Sequence, residues 1–278
     1  MFLRPVHLLA LAGCLILCVL AACTPAPEGS QFWKQVNREY ESRDYKDTLN
    51  YLNDVLQSEN DYNARASALK IVILGGMTRS ALAIEAACDK GTARVPAWNE
   101  APFKNCIEQF RWQARTRALD LIDALNELEK VTADNATIPL DFPLPEGSSR
   151  RSSMLGRAEA GALPPEKAFD SAVALVVDHH IFLQVSDFVT ADDAAAVTTM
   201  FEARPVEVPK EAFLVGIAKT LLAAAAVFDK GRLDDSAKKS ATLERAKQCL
   251  QPALDGDDEA LQTQAKELAR QIAKKSRR

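Results

Sequence analysis

Phe103-Lys104-Asn105-Cys106-Ile107-Glu108-Gln109-Phe110-Arg111-Trp112-Gln113-Ala114-Arg115-Thr116-Arg117-Ala118-Leu119-Asp120-Leu121-Ile122-Asp123-Ala124-Leu125-Asn126-Glu127-Leu128-Glu129-Lys130-Val131 is the stretch that decides the fold class. Its apolar positions Ile107, Phe110, Trp112, Ala114, Ala118, Leu121, Ile122, Leu125 and Leu128 recur at helical spacing. Arg111, Arg115 and Arg117 alternate with them, as on a partly exposed helix whose arginines form a solvated face rather than an anion site.

The same periodicity extends in both directions. Upstream, Gln31 to Gln57 reads as a helical hairpin, with Phe32, Val36 and Tyr40 on one face, a polar break at Ser42 to Asp44, and Leu49, Leu52, Val55 and Leu56 on another. Helical patterns follow from Asp61 to Leu74 and, after a predicted break at Gly75-Gly76, from Met77 to Cys88. Downstream, residues 132–165 hold Pro139, Pro143, Pro145, Pro164 and Pro165 with three glycines, and read as a long crossing loop or boundary. Within it Ser148 to Ser153 reads as a flexible polar tip.

Helical character returns over Glu166–Val189, Ala191–Glu202, Lys210–Lys230, Asp235–Leu250 and Asp258–Lys275, with Pro205 and Pro209 as punctuation. Leu214 to Phe228 is apolar but contains Lys219 and is too short to span a bilayer, so it is expected in the core. Lys274, Lys275, Arg277 and Arg278 sit where a helix carboxyl end favours cations.

Composition agrees with helix. Of 278 residues, 45 are alanine, 11 are glycine and 6% are aromatic, which favours helix over strand and excludes an all-β fold. A 47% apolar content excludes disorder. A net charge of -4 without a basic block excludes a nucleic-acid partner, because phosphate binding needs clustered Lys and Arg.

Two resemblances attach to particular residues. The run Tyr45-Lys46-Asp47-Thr48-Leu49-Asn50-Tyr51-Leu52-Asn53-Asp54-Val55-Leu56 resembles the second helix of a tetratricopeptide repeat, with Thr48 where that family usually has Ala and no Gly in the preceding turn. A weaker echo lies in Ala246–Leu254 and Ala265–Ile272 around Asp255-Gly256-Asp257-Asp258. The resemblance implies an all-α fold of stacked helical hairpins, as a solenoid or a compact bundle, presenting a groove to a partner.

Met1 to Ala22 has the form of an export signal, with Arg4 before an apolar run from Leu8 to Leu20. Leu20-Ala21-Ala22-Cys23 resembles the lipobox of bacterial lipoproteins, which implies cleavage before Cys23 and acylation of that cysteine. Residues 23–30 then form a lipidated tether. Thr24, where family members held at the inner membrane often carry Asp, points to the outer membrane with the domain facing the periplasm.

Three further cysteines remain. Cys88 closes one helical pattern and Cys106 opens the next, so a disulfide across that hairpin is expected, stabilising by about 3 kcal/mol. Cys249 is expected to be a small buried apolar residue.

Asp178-His179-His180 resembles the triplet that names the DHH phosphoesterases, but the further aspartates and the glycine-rich region of that family are not recognisable. Three residues supply too few ligands for metal-assisted hydrolysis, and at helical spacing they lie in a segment buried nearly all round. No GxSxG, HExxH, Walker or GxGxxG motif occurs, so neither an enzyme nor a cofactor or metal site is expected.

These readings divide the chain into residues 1–22 (leader), 23–30 (tether), 31–131 (helical hairpins), 132–165 (crossing loop) and 166–278 (second helical region). They lead to a non-enzymatic, membrane-anchored helical scaffold for protein partners in the cell envelope. The alternative is a lipoprotein carrying a small ligand for a transport system, favoured by a buried cavity containing His179 or Arg111.

Overall fold

The computed structural model describes residues 29–133, 136–145, 165–185, 201–229 and 235–277. The leader, Cys23 and Ser148 to Ser153 lie outside the described residues. Eight α-helices are described: α1 (Gly29–Glu41), α2 (Tyr45–Val55), α3 (Asn63–Thr92), α4 (Ala101–Val131), α5 (Pro165–Val185), α6 (Lys210–Ala224), α7 (Ser236–Asp255) and α8 (Glu259–Ser276). Two strands, β1 (Thr137–Pro145) and β2 (Phe201–Pro209), accompany them. The fold is all-α with one small antiparallel ribbon.

Side-chain caps start three of the helices. Asp44 accepts from the Asp47 amide at α2, Asp235 from Lys238 at α7, and Asp258 from Ala260 and Leu261 at α8, each taking up donors that a helix start leaves unpaired.

α3 is the axis of the molecule and touches α2, α4, α5, α6 and β1. It is one unbroken helix, which corrects the break expected at Gly75-Gly76. Those glycines admit a neighbour: a Cβ on Gly76 would meet Val176 Cγ1 at 2.4 Å, and one on Gly75 would meet Phe169 Cζ at 3.1 Å. They mark close helix packing, and burial on several sides holds the backbone helical where propensity alone would weaken it.

The ribbon corrects a second expectation, since residues 137–145 of the supposed crossing loop form β1, and Phe201 and Glu202, expected in a helix, begin β2. Thr137 pairs with Pro209 and the register runs to Pro145 opposite Phe201. The Lys210 amide donates to the Ala136 carbonyl, which places the ladder bonds on that pair and on every second pair after it. Pro139, Pro143, Pro145, Pro205 and Pro209 all fall on the intervening pairs, where the missing N–H removes no ladder bond. On the ladder pairs Ile138 faces Val208 and Leu140 faces Val206, all four buried.

One hydrophobic core joins residues from α1 through α8 and both strands, so the two helical regions share an interior. α3 and the stretch Lys210–Asp229 are long and apolar enough to cross a bilayer by composition. In the fold 67% and 78% of their apolar windows are packed inside.

Candidate functional site

The turn between α1 and α2 is built on Arg43, a non-glycine residue at φ 66° that reverses the chain and is itself buried. Directly after it Tyr45 packs edge-on against the His179 ring of α5, with centroids 5.6 Å apart. Next along α5, His180 places Nδ1 2.5 Å from Ser80 Oγ on α3. Arg43, Tyr45, His179 and His180, together with Ser42, Asp44, Lys46, Met77 and Gln184, line a cleft of about 450 Å³.

Both imidazoles are electrically neutral here. Burial and then the Arg43 charge pull His179 down to about 4, with His180 adding to the effect. Burial and then Arg117 do the same to His180, also to about 4. Burial likewise raises the Tyr45 phenol.

Ser80 Oγ lies within hydrogen-bond distance of two groups, the Met77 carbonyl at 3.0 Å and His180 Nδ1 at 2.5 Å, and so ties α3 to α5. Its single hydroxyl proton serves one of them at a time, and the tautomer of His180 sets which.

A second cleft of about 500 Å³ lies between α2, α3 and α4. Lys46, Asn50 and Asn53 form one face of α2, while Asp120, Asp123 and Glu127 come from α4. Lys70 on its floor donates to Glu127 at 2.7 Å, and Arg117 donates to Asp120 at 3.1 Å. Lys46, at the start of α2, lines both clefts.

The residues singled out from sequence are distributed as follows. Cys88 and Cys106 are joined by a disulfide with Cα atoms 6.3 Å apart. Cys249 is a buried free thiol, pushed up to about 12 chiefly by burial. Asp178 lies in α5, and its side chain lies outside what is described. Among the described residues no group of three or more His, Cys, Asp or Glu gathers as a metal site.

Two of the three arginines of α4, Arg111 and Arg115, depart from the solvated face expected of them, while Arg117 stays partly exposed beside Asp120. Arg115 is buried, donates through Nε and Nη2 to the Val227 carbonyl at 2.9 and 2.6 Å, and lies 5.6 Å from the Phe228 ring. Arg111 pairs with buried Glu85 at 2.8 Å. Trp112, expected on the apolar face, is instead 59% exposed. Ser80, Arg43 and the Asn50–Asn53 face carried no sequence signal, because what they meet lies on other helices.

No protein-family model matches this chain, and no curated protein or solved structure is similar to it.

Proposed function

We propose that the protein is a lipid-anchored envelope lipoprotein that works as a non-enzymatic helical adaptor, receiving a segment of a protein partner in the groove along α2. The observation that carries this reading is the cleft between α2, α3 and α4, where Lys46, Asn50 and Asn53 of α2 line one opening with Asp120, Asp123 and Glu127 of α4. Asn50 and Asn53 offer paired amide donors and acceptors to an extended backbone, and Asp123 offers a carboxylate to a basic side chain. The Leu20-Ala21-Ala22-Cys23 leader supports the anchor, and two or three acyl chains would hold the domain at a membrane without an apolar patch of its own.

A cleft containing His179 favours a second reading, binding of a small ligand. Crosslinking in intact cells separates the two. Asn53→Arg and Asp123→Lys, both on exposed residues, should abolish a protein adduct without unfolding the chain. Adducts that persist in both variants would refute the groove as the docking site. Ligand density or mass recovered with the purified protein, and lost in His179→Gln, would establish the second reading. Cys23→Ser should release the protein from the membrane.

A further inference from the structure

We infer that the partner segment received between α2, α3 and α4 carries charges of both signs, an acidic side chain for Lys46 and a basic one for Asp123. This rests on the adaptor reading above and names the chemistry of the partner at that same site.

Six charged side chains line the cleft: Lys46 from α2, Lys70 from α3, and Arg117, Asp120, Asp123 and Glu127 from α4. Four of them are already paired with one another. Lys70 reaches from α3 to Glu127 at 2.7 Å, and Arg117 reaches along α4 to Asp120 at 3.1 Å. These pairs cancel most of the acidity of the α4 wall, which therefore does not call for a purely basic partner. Lys46 on one wall and Asp123 on the other remain, both exposed and neither in an ion pair among the described residues. The carboxylates next to Lys46 on its own chain do not line this cleft, and both are engaged. Asp44 Oδ1 accepts from the Asp47 amide at 3.0 Å, and Asp47 Oδ1 accepts from Asn50 Nδ2 at 3.4 Å.

The two leftover charges select by exclusion as well as by attraction. A segment with basic residues alone satisfies Asp123 but sets a like charge against Lys46, and one with acids alone does the reverse at Asp123. The Cys88–Cys106 bridge and the Lys70–Glu127 pair show that α3 and α4 run antiparallel. Four residues on from Lys70 and four back from Glu127 therefore bring Leu74 beside Asp123, one turn or about 6 Å from that pair. Leu74 and Leu49 both line the cleft and give the stem of a basic side chain apolar surface to lie on. Successive side chains of an extended segment point to opposite sides, so its acidic and basic residues reach opposite walls when they stand an odd number of positions apart.

The test places a photoreactive phenylalanine derivative at position 50 of the full chain, irradiates intact cells and sequences the peptide joined to it. The expected result is a segment with an acidic and a basic residue an odd number of positions apart. Lys46→Glu should lower the adduct yield roughly tenfold and Lys46→Gln by less, and changing the segment's acidic residue to Lys should restore the yield in Lys46→Glu. Lys46 is exposed, so both variants keep the fold. A joined segment with charges of one sign only, a yield indifferent to Lys46→Glu, or a reversal that restores nothing would overturn the inference. Asn53→Arg separates it from the reading beneath it. A yield lost in Asn53→Arg but untouched by Lys46→Glu keeps the groove and removes the charge pair, whereas no adduct, or a yield untouched by either change, removes both.

Discussion

Ser80 Oγ and His180 Nδ1 meet 2.5 Å apart in the interior, joining the middle of α3 to α5 across 100 residues of sequence. Burial, with Arg117, keeps His180 neutral, and burial, with Arg43 and His180, keeps His179 neutral as well, each at about 4 against an ordinary 6.5. An unfolded chain therefore binds more protons than the folded one between these values. Stability from the two imidazoles is complete above pH 6.5, declines as pH falls from 6.5 to 4, and changes no further below that. The loss is roughly 3 kcal/mol for each ring. Urea unfolding at pH 7.0, 5.5 and 4.5 should show this decline, and His179→Gln with His180→Gln should flatten it. A slope that survives the double substitution would assign the titration to other groups.

Close packing of α5 on α3 makes a prediction of unusual sign. Gly→Ala inside a helix ordinarily stabilises by up to about 1 kcal/mol. At Gly76 the added methyl would collide with the Val176 side chain at 2.4 Å, and overpacking of that kind costs roughly 1–3 kcal/mol. At Gly75 the nearest atom is the far edge of the Phe169 ring at 3.1 Å, so the cost should be smaller. Chemical denaturation should rank Gly76→Ala well below Gly75→Ala. Equal effects at both positions would remove the close-approach account of the glycine pair.

Helix α4 was legible because its apolar spacing is set chiefly by burial against α3, and Ile107, Phe110, Leu121, Leu125 and Leu128 all lie inward. The Gly75-Gly76 pair misled because a glycine reports either a weak helix or a close neighbour, and the residues that decide it, Phe169, Val173 and Val176, lie about a hundred positions away. The ribbon was hidden by its prolines, which read as loop punctuation until pairing puts them all on one parity. Arg115 looked solvated because its acceptor, the Val227 carbonyl, is a backbone group without any side-chain signature. Of the site, the burial of His179 and His180 could be read from their helix faces. Their partners could not, since a triplet names its own residues and nothing across the interface.

The Cys88–Cys106 bridge closes a short loop at one end of the long hairpin, with a sequence separation of 18. By chain entropy it should stabilise by about 3 kcal/mol. Cys88→Ser with Cys106→Ser should lower the urea midpoint accordingly, and reductant should shift the wild type towards the variant while leaving the variant itself unmoved. A midpoint indifferent to reductant in the wild type would show that the bridge contributes nothing to global stability.

Asp170 on α5 takes two cations, Arg79 from α3 and Lys219 from α6, the latter at 2.7 Å. Burial opposes its ionisation, and the two cations together overcome that and hold the carboxyl below its ordinary value. Arg79 also donates to Thr220 at 2.8 Å and to the Gly216 carbonyl at 3.2 Å, so it is fixed where Lys219 is half exposed. Removing the carboxylate leaves the Arg79 charge among these groups without its anion, whereas removing Lys219 costs only an exposed partner. Asp170→Asn should therefore destabilise by roughly 1–3 kcal/mol and Lys219→Gln by less than about 1 kcal/mol. The pH signature separates this network from the histidines. A carboxyl with a lowered value contributes stability that is present above about pH 4 and lost as pH falls further, so Asp170→Asn should weaken the acid loss below pH 4 and leave the decline between 6.5 and 4 in place. If Asp170→Asn instead removes the decline between 6.5 and 4, the titrating group in that window is this carboxyl and the assignment to the imidazoles is wrong.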